Sequence, residues 1–478
     1  VTVGELLAAL DATHPGARLH GDASASAVPL RSVTHDSRRV GPGTLFCCVV
    51  GEHADGHDFA AEAVAAGAVA LLVQRDPDPD GPLRSVPQIV VDDVRAAMAT
   101  AAVEVYRHPA ERLRTVGVTG TNGKTTVVSA VAHVLSAAGR RVEAIGTLTG
   151  ARTTPEAPDL QARLAELVSA GVTDVAMEVS SHALSLHRVD GVVFDVAVFT
   201  NLGQDHLDFH GTPEAYFAAK AQLFEAGRSR RGIVDVDDVH GRLLMDSAPP
   251  GHPMVAVSVA DAEPVTSTVT GSSFRWRGRS VSCPLPGRHN VANAMLAAEA
   301  CAALGVEEDS IVAALADLPV VPGRFERVDA GQDFGVVVDY AHTPDALEAV
   351  LVAARELGPG RVLVVFGCGG DRDATKRPRM GAVASEHADV VVLTTDNPRS
   401  EDPLRILEAV RSGCSGDPVV EPDRRAAIAV ALGSARPGDV VVIAGKGHEQ
   451  GQEVAGVVTP FDDRLVAAEL LASTEGPS

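Results

Sequence analysis

At 478 residues the chain is too long for one hydrophobic core, so two to four domains are expected. A formal net charge of −22 argues against a general nucleic-acid or anionic-membrane binder and leaves the capture of anionic substrates to local clusters of Arg and Lys. The six cysteines (Cys47, Cys48, Cys283, Cys301, Cys368, Cys414) lack CxxC or Cys/His zinc spacing, and no basic-then-apolar start or bilayer-length apolar run is present, so a cytoplasmic protein is expected.

A first unit covers residues 1–100. Short strands at 44–46 and 68–73 flank a helix at 59–66, the Pro- and Asp-rich stretch 76–87 reads as a surface loop, and a helix over about 93–106 leads onward. A second unit, 101–322, opens on the most informative stretch. Apolar Val116 to Val118 precede Thr119-Gly120-Thr121-Asn122-Gly123-Lys124-Thr125-Thr126, and an apolar-periodic helix follows to Ala138. Strand, glycine turn and helix in that order make a phosphate loop. Its backbone N–H groups and helix dipole favour anions, Lys124 can reach β- and γ-phosphates, and the Thr125 hydroxyl can sit on Mg²⁺. Val118 stands where a strict loop has its first glycine, so the loop is a variant. ATP and Mg²⁺ are the expected cofactors.

Strands at 173–178, 192–200 and 231–236 alternate with helices, as an α/β sheet requires. A strand-rich insert at 254–284 carries the single Trp276, and helices at 290–304 and 310–316 close the unit. Glu178 ends a buried strand beside the phosphate loop, where a carboxylate can hold Mg²⁺ directly or through water. His206 and His210 are four apart, but Leu207 follows His206 where HExxH needs Glu, which argues against a metalloprotease. His206 suits a magnesium or substrate site, and His210 alone reads as structural. Lys220, on an amphipathic helix, reads alone as a surface charge. In a metal-lined cleft it can instead take up CO₂, and the carbamate would be an anionic oxygen ligand.

The third unit, 323–478, repeats apolar runs at 335–338, 361–366, 389–393 and 439–444 with helices at 345–356, 376–385, 404–410 and 424–432 between them. That rhythm predicts a doubly wound parallel sheet with ligands at the strand ends. Three such ends carry Gly367-Cys-Gly-Gly-Asp-Arg372-Asp, Asp396-Asn397-Pro-Arg399 and Gly445-Lys-Gly-His-Glu449. Their mixture of cations, anions and amides suits a zwitterionic amino acid, since arginines pair with carboxylates and acids with ammonium groups.

Over essentially its whole length the chain resembles the Mur ligase family of peptidoglycan synthesis. The resemblance rests on the phosphate loop, Met177-Glu-Val-Ser-Ser-His-Ala-Leu184, Asp205-His-Leu-Asp-Phe-His-Gly211, Pro286-Gly-Arg-His-Asn-Val-Ala-Asn293, Pro322-Gly-Arg-Phe-Glu326 and Asp339-Tyr-Ala-His342. Asp396-Asn-Pro-Arg399 resembles the branch that adds meso-diaminopimelate rather than L-lysine. The resemblance implies an α/β protein of three domains: a smaller N-terminal UDP-substrate domain, a central P-loop-type ATPase with a mostly parallel sheet, and a C-terminal Rossmann-like doubly wound sheet. It implies Ser37 at the uridine end and Thr153, Thr154, Ser180 and Arg188 on the UDP-sugar. It implies Gly120, Thr121, Asn122, Gly123, Lys124, Thr125 and Thr126 on ATP phosphates, with Asn293, Arg324 and Asp339 on the nucleotide and His342 near its phosphates. Thr125, Glu178, His206 and a carbamylated Lys220 would serve the metal. Arg372, Asp396, Asn397, Arg399, Gly445 and Glu449 would grip diaminopimelate. Leu186 departs from the family pattern at one substrate contact. The implied reaction joins meso-diaminopimelate to UDP-N-acetylmuramoyl-L-alanyl-D-glutamate through an acyl phosphate, in a monomer. The rivals are an L-lysine-adding, D-alanyl-D-alanine-adding or folylpolyglutamate-type ligase, and a non-catalytic nucleotide-binding regulator.

Overall fold

The computed structural model describes residues 1–21, 24–51, 54–78, 81–268 and 270–474. Residues 79–80 of the loop expected at 76–87, and residue 269 of the insert expected at 254–284, lie outside the described residues.

Three main sheets follow one another along the chain. The first has five strands in the order Arg18–His20, Gln88–Val90, Ala68–Val73, Thr44–Cys47 and Ser32–Thr34. Only Arg18–His20 runs antiparallel to its neighbour. The helix Val94–Val105, capped by the Asp93 carboxylate, packs Ala97, Met98, Ala101 and Val105 into this sheet's core.

The central sheet is wholly parallel, with six strands in the order Met254–Val257, Gly232–Asp235, Val196–Phe199, Arg114–Thr119, Asp174–Glu178 and Val142–Ile145. Both its faces are covered, which explains why its strands read as continuous apolar runs. Val196 and Val198 point into one core with the helices Lys124–Ala137 and Arg288–Ala303, and Ala197 and Phe199 point into the other with Ala157–Ser169. Met254–Val257, expected in the insert, is instead the edge strand of this sheet. The remaining insert strands, Thr266–Thr268, Gly271–Trp276 and Arg279–Cys283, form a separate antiparallel sheet. Trp276 is buried there and donates its indole N–H to Glu299 Oε1 at 2.9 Å.

The third sheet has the order Glu326–Arg327, Gly335–Asp339, Val440–Ala444, Val362–Phe366, Val390–Leu393 and Val419–Val420, parallel except at Glu326–Arg327. Leu363 and Val365 face one core, and Val362, Val364 and Phe366 the other. A hairpin of Gly451–Val454 and Val457–Pro460 follows the last central strand. The six cysteines are all free. Among the described residues no helix is long and apolar enough to cross a membrane.

Candidate functional site

The turn after Arg114–Thr119 enters Lys124–Ala137 through Gly123, whose φ of +86° is the left-handed region glycine tolerates, and an added Cβ would collide with Asn293 Oδ1. Lys124 Nζ lies back over the loop, donating to the carbonyls of Gly120 at 2.9 Å and Thr121 at 2.8 Å. The Thr121 hydroxyl bonds Tyr216 Oη at 3.0 Å, and Asn122 donates its N–H to Asn201 Oδ1 at 2.9 Å.

Thr125 links two units. Its hydroxyl donates to Glu178 Oε1 at 3.1 Å and accepts from Arg324 Nη2 at 2.9 Å. Glu178 also accepts from the N–H of Thr147 at 2.9 Å and its hydroxyl at 3.2 Å, which fixes the carboxylate at the strand end. Lys220 is buried rather than on the surface, and its Nζ donates to Gly120 O at 2.8 Å. Burial, reinforced by Lys124, pushes the Lys220 ammonium well below its usual range, and burial also lowers Lys124.

His206 has left-handed backbone at φ +55°, a strained conformation for a residue with a side chain. Burial lowers its imidazole to about 3, aided by His182, Lys220 and Lys124 and opposed by Asp205, so the ring is neutral around pH 7. Its ring centroid lies 4.7 Å from that of His182 and 6.0 Å from that of Tyr216. His210 donates or accepts at Ser181 Oγ, 2.9 Å away, a structural bond.

Asp205, beside His206, gathers a lysine ammonium and two imidazoles from two units. Its carboxylate is 3.2 Å from Lys376 Nζ and 3.5 Å from both His206 Nε2 and His342 Nε2. Burial works to raise this carboxyl, but the His342 bond, Lys376 and His206 together hold it well below the usual range. His342 is thus placed by Asp205 and by the Tyr340 carbonyl at 2.8 Å.

A cavity of about 360 Å³ lies where the central and third sheets meet. Asn122, Gly123 and Thr126 line it from the phosphate loop, Asn293 from Arg288–Ala303, and Arg324, Asp339 and Tyr340 from the third unit. Arg324 stacks over Tyr340 with Cζ 4.5 Å from the ring centroid. Asp339 accepts the N–H groups of Phe325 at 2.6 Å and Ala341 at 2.7 Å, yet burial outweighs these and Arg324 and raises its carboxyl.

The strand ends of the third sheet sit beside this cavity. Gly445 N–H donates to Asp339 O at 3.1 Å, and the His448 ring lies 5.2 Å from that of Tyr340. Asn397 Nδ2 donates to Glu449 Oε2 at 2.8 Å. Burial raises the Asp396 carboxyl despite Arg424 and Lys446. Gly445 has φ +114°, and a Cβ there would come within 2.5 Å of Asp396 Oδ2. Arg399, also left-handed at φ +51°, donates from Nη1 to Gly370 O at 2.7 Å. Arg372 is exposed, its Nη1 donating to Asp371 O, and it is not drawn into this cluster.

A further group lies between the first and central units. The Thr154 hydroxyl donates to Glu178 O at 2.9 Å and accepts from Ser180 N–H at 3.1 Å, and Thr153 Oγ1 is 3.0 Å from Thr147 Oγ1. Arg188 Nη2 pairs with buried Glu156 Oε1 at 2.7 Å, and Arg95 from the first unit stands 3.6 Å from Glu156 Oε2. Ser37 starts a short 3₁₀ turn capped by Asp36, half-buried.

Sequence reasoning passed over Asp205, Glu156, Tyr340, Lys376 and Lys446 as site residues. Asp205, Tyr340 and Lys446 stood inside the motifs given above, and Glu156 comes two residues after Thr154. Nothing in the sequence distinguishes Lys376 from a helix-start surface lysine.

Residues 29–106, 118–301 and 323–447 match the models described as the Mur ligase family catalytic domain, the Mur ligase middle domain and the Mur ligase glutamate ligase domain. The UDP-N-acetylmuramoyl-L-alanyl-D-glutamate--2,6-diaminopimelate ligase of Streptomyces avermitilis is 47% identical over 474 residues, covering 93% of each chain. The chain belongs to the Mur ligase family. A ligase of the same name from Geobacillus kaustophilus is 46% identical to this Mur ligase, over 95% of this chain and 96% of its own. A solved structure bearing that name aligns with a TM-score of 0.68 at 33% identity over 99% of both chains. MurF of Thermotoga maritima in complex with ADP shares the Mur ligase fold at a TM-score of 0.64 and 20% identity, over 93% of this chain and 96% of its own.

Proposed function

We propose that this Mur ligase forms the amide bond between UDP-N-acetylmuramoyl-L-alanyl-D-glutamate and meso-diaminopimelate, driven by ATP. The observation that carries the reading is the continuous path Glu178–Thr125–Arg324–Tyr340–His448, which joins the phosphate loop to the amino-acid-type strand ends of the third sheet. The names of the relatives and the charge mixture around Asp396, Arg399 and Glu449 support diaminopimelate as the incoming amine. Thr153, Thr154, Ser180 and Arg188, with Ser37 farther out, are the proposed hold on the UDP substrate. Arg372 stays a proposed contact that only closure would recruit.

Thr125, Glu178, His206 and Lys220 are the proposed metal-side residues. The donor set suits Mg²⁺, which binds through one or two carboxylates and takes its other oxygens from water and phosphate. Among the described residues no group of three or more His, Cys, Asp or Glu forms a full protein cage. When bound, the ion would neutralise phosphate charge during transfer. The buried, neutral-leaning Lys220 amine is suited to CO₂ uptake, which supports the carbamate reading.

In the first step the D-glutamate γ-carboxylate attacks the ATP γ-phosphorus, ADP leaves, and Lys124 moves from its loop carbonyls to the transferring phosphoryl oxygens. The neutral amine of diaminopimelate then attacks the acyl carbon, loses its proton, and phosphate departs with one oxygen of the original carboxylate. Water would hydrolyse the acyl phosphate, so closure across the cavity must exclude it. Substrate labelled with ¹⁸O in the γ-carboxylate tests this: one label must pass to the released phosphate. Label passing to AMP or to water instead of to phosphate would refute the acyl phosphate.

A further inference from the structure

We propose that Lys446 is the positioning residue of the amino-acid subsite, a buried cation that fixes Asn397, Glu449 and the hairpin behind Arg399 in one geometry. The inference rests on the reading of that subsite given above. Lys446 is wholly buried, at 0% exposure. An ammonium has three donors, and all are used here: Asn397 Oδ1 at 3.1 Å, Glu449 Oε2 at 3.1 Å and Gly451 O at 2.7 Å. None is left for a substrate, so Lys446 acts through its neighbours.

The bond to Asn397 sets which way that amide faces. With its oxygen on Lys446 and on the Glu453 N–H at 3.0 Å, its NH₂ must point at Glu449. Burial works to raise the Glu449 carboxyl, but Lys446 and the Asn397 amide outweigh it and keep the group ionised, as recognition of an ammonium requires.

The bond to Gly451 ties down the hairpin. A two-stranded hairpin is marginal alone, and Val457 and Val458 on its outer strand are 62% and 65% exposed, so apolar packing does not hold it there. Polar ties do: Gln452 Nε2 donates to Asp396 O at 2.8 Å, and Arg399 exchanges backbone bonds with Glu453 O at 3.2 Å and Ala455 N–H at 2.7 Å. The hairpin thereby holds the left-handed backbone of Arg399, and Glu453 Oε2 stands 3.7 Å from Arg399 Nε. Three diverging acceptors around a point charge suit lysine, whose donors rotate, better than the planar fork of arginine.

The test uses the full chain and initial rates of phosphate release, with ATP, Mg²⁺ and UDP-N-acetylmuramoyl-L-alanyl-D-glutamate saturating and meso-diaminopimelate varied. Lys446→Gln and Lys446→Met should raise KM for diaminopimelate at least about thirtyfold, while KM for ATP and for the UDP substrate stays within about twofold. An unchanged KM for diaminopimelate, or three KM values moving together, overturns the proposal. Failure of both variants to fold also overturns it, because Lys446 would then be a structural group. Arg399→Ala separates the two levels. If that variant loses discrimination against lysine while the Lys446 variants bind diaminopimelate normally, only the role of Lys446 falls. If Arg399→Ala changes nothing either, the reading of the subsite falls.

Discussion

Replacing Arg324 with alanine removes the guanidinium that reaches from the third unit to the phosphate loop. Its Nη2 bonds Thr125 at 2.9 Å, its Cζ stacks 4.5 Å from the Tyr340 ring, and its Nε is buried without a hydrogen-bond partner beside the cavity of about 360 Å³. A charge-assisted bond to bound nucleotide contributes about 1.5–3 kcal/mol, while the Tyr340 stack is present with or without nucleotide and cancels. The loss corresponds to roughly 10- to 150-fold weaker ATP binding. The assay is KM for ATP beside calorimetric titration with ADP, and Arg324→Lys should recover only part of the loss. A second readout comes from Asp339, whose carboxyl is already raised by burial and rises further without Arg324. The folded state then holds that proton more tightly than the unfolded chain, so stability declines as pH rises from about 4 through the folded value. The variant's melting temperature should fall more steeply than that of the parent as pH rises from about 4 through the folded value. A KM for ATP within about threefold of the parent would refute the placement of nucleotide in this cavity.

Lys124→Ala should abolish phosphate release while fluorescence titration still detects binding of the UDP substrate. Glu178→Gln should raise the Mg²⁺ concentration needed for half-maximal rate by about tenfold or more, read from a metal titration. Arg399→Ala should lower the preference for meso-diaminopimelate over L-lysine by about tenfold or more, because the bidentate partner of the second carboxylate is gone. His187→Asn bears on pH. The Asp190 bond at 2.7 Å raises the His187 imidazole, so its stabilisation is full below about pH 6.5 and is lost as pH rises through the folded value. Asparagine tolerates the φ of +57° at this site, so the gap in melting temperature between parent and variant should be present near pH 5.5 and close by about pH 9.

The phosphate loop was legible because its information is local: an apolar strand, a glycine turn, a lysine and a helix follow in order. The third sheet was legible because parallel strands buried on both faces spell continuous apolar runs, as Val362–Phe366 does. Pairing was less so. Met254–Val257 joins the central sheet beside Gly232–Asp235, a neighbour chosen by tertiary packing that no local pattern announces. The hairpin Gly451–Val454 and Val457–Pro460 is mostly exposed and carries no strong apolar alternation. Charge partners distant in sequence were hidden for the same reason: Lys376 and Asp205 lie 171 residues apart. Lys220 sits on a helix whose sequence reads as amphipathic, and only the fold reveals that its amine is buried against Gly120.

The most direct test is phosphate release by the purified chain with ATP, Mg²⁺ and UDP-N-acetylmuramoyl-L-alanyl-D-glutamate, comparing meso-diaminopimelate with L-lysine. The account predicts release that depends on diaminopimelate and a nucleotide product heavier by one diaminopimelate residue. Release with lysine alone, or with neither amino acid, would contradict it.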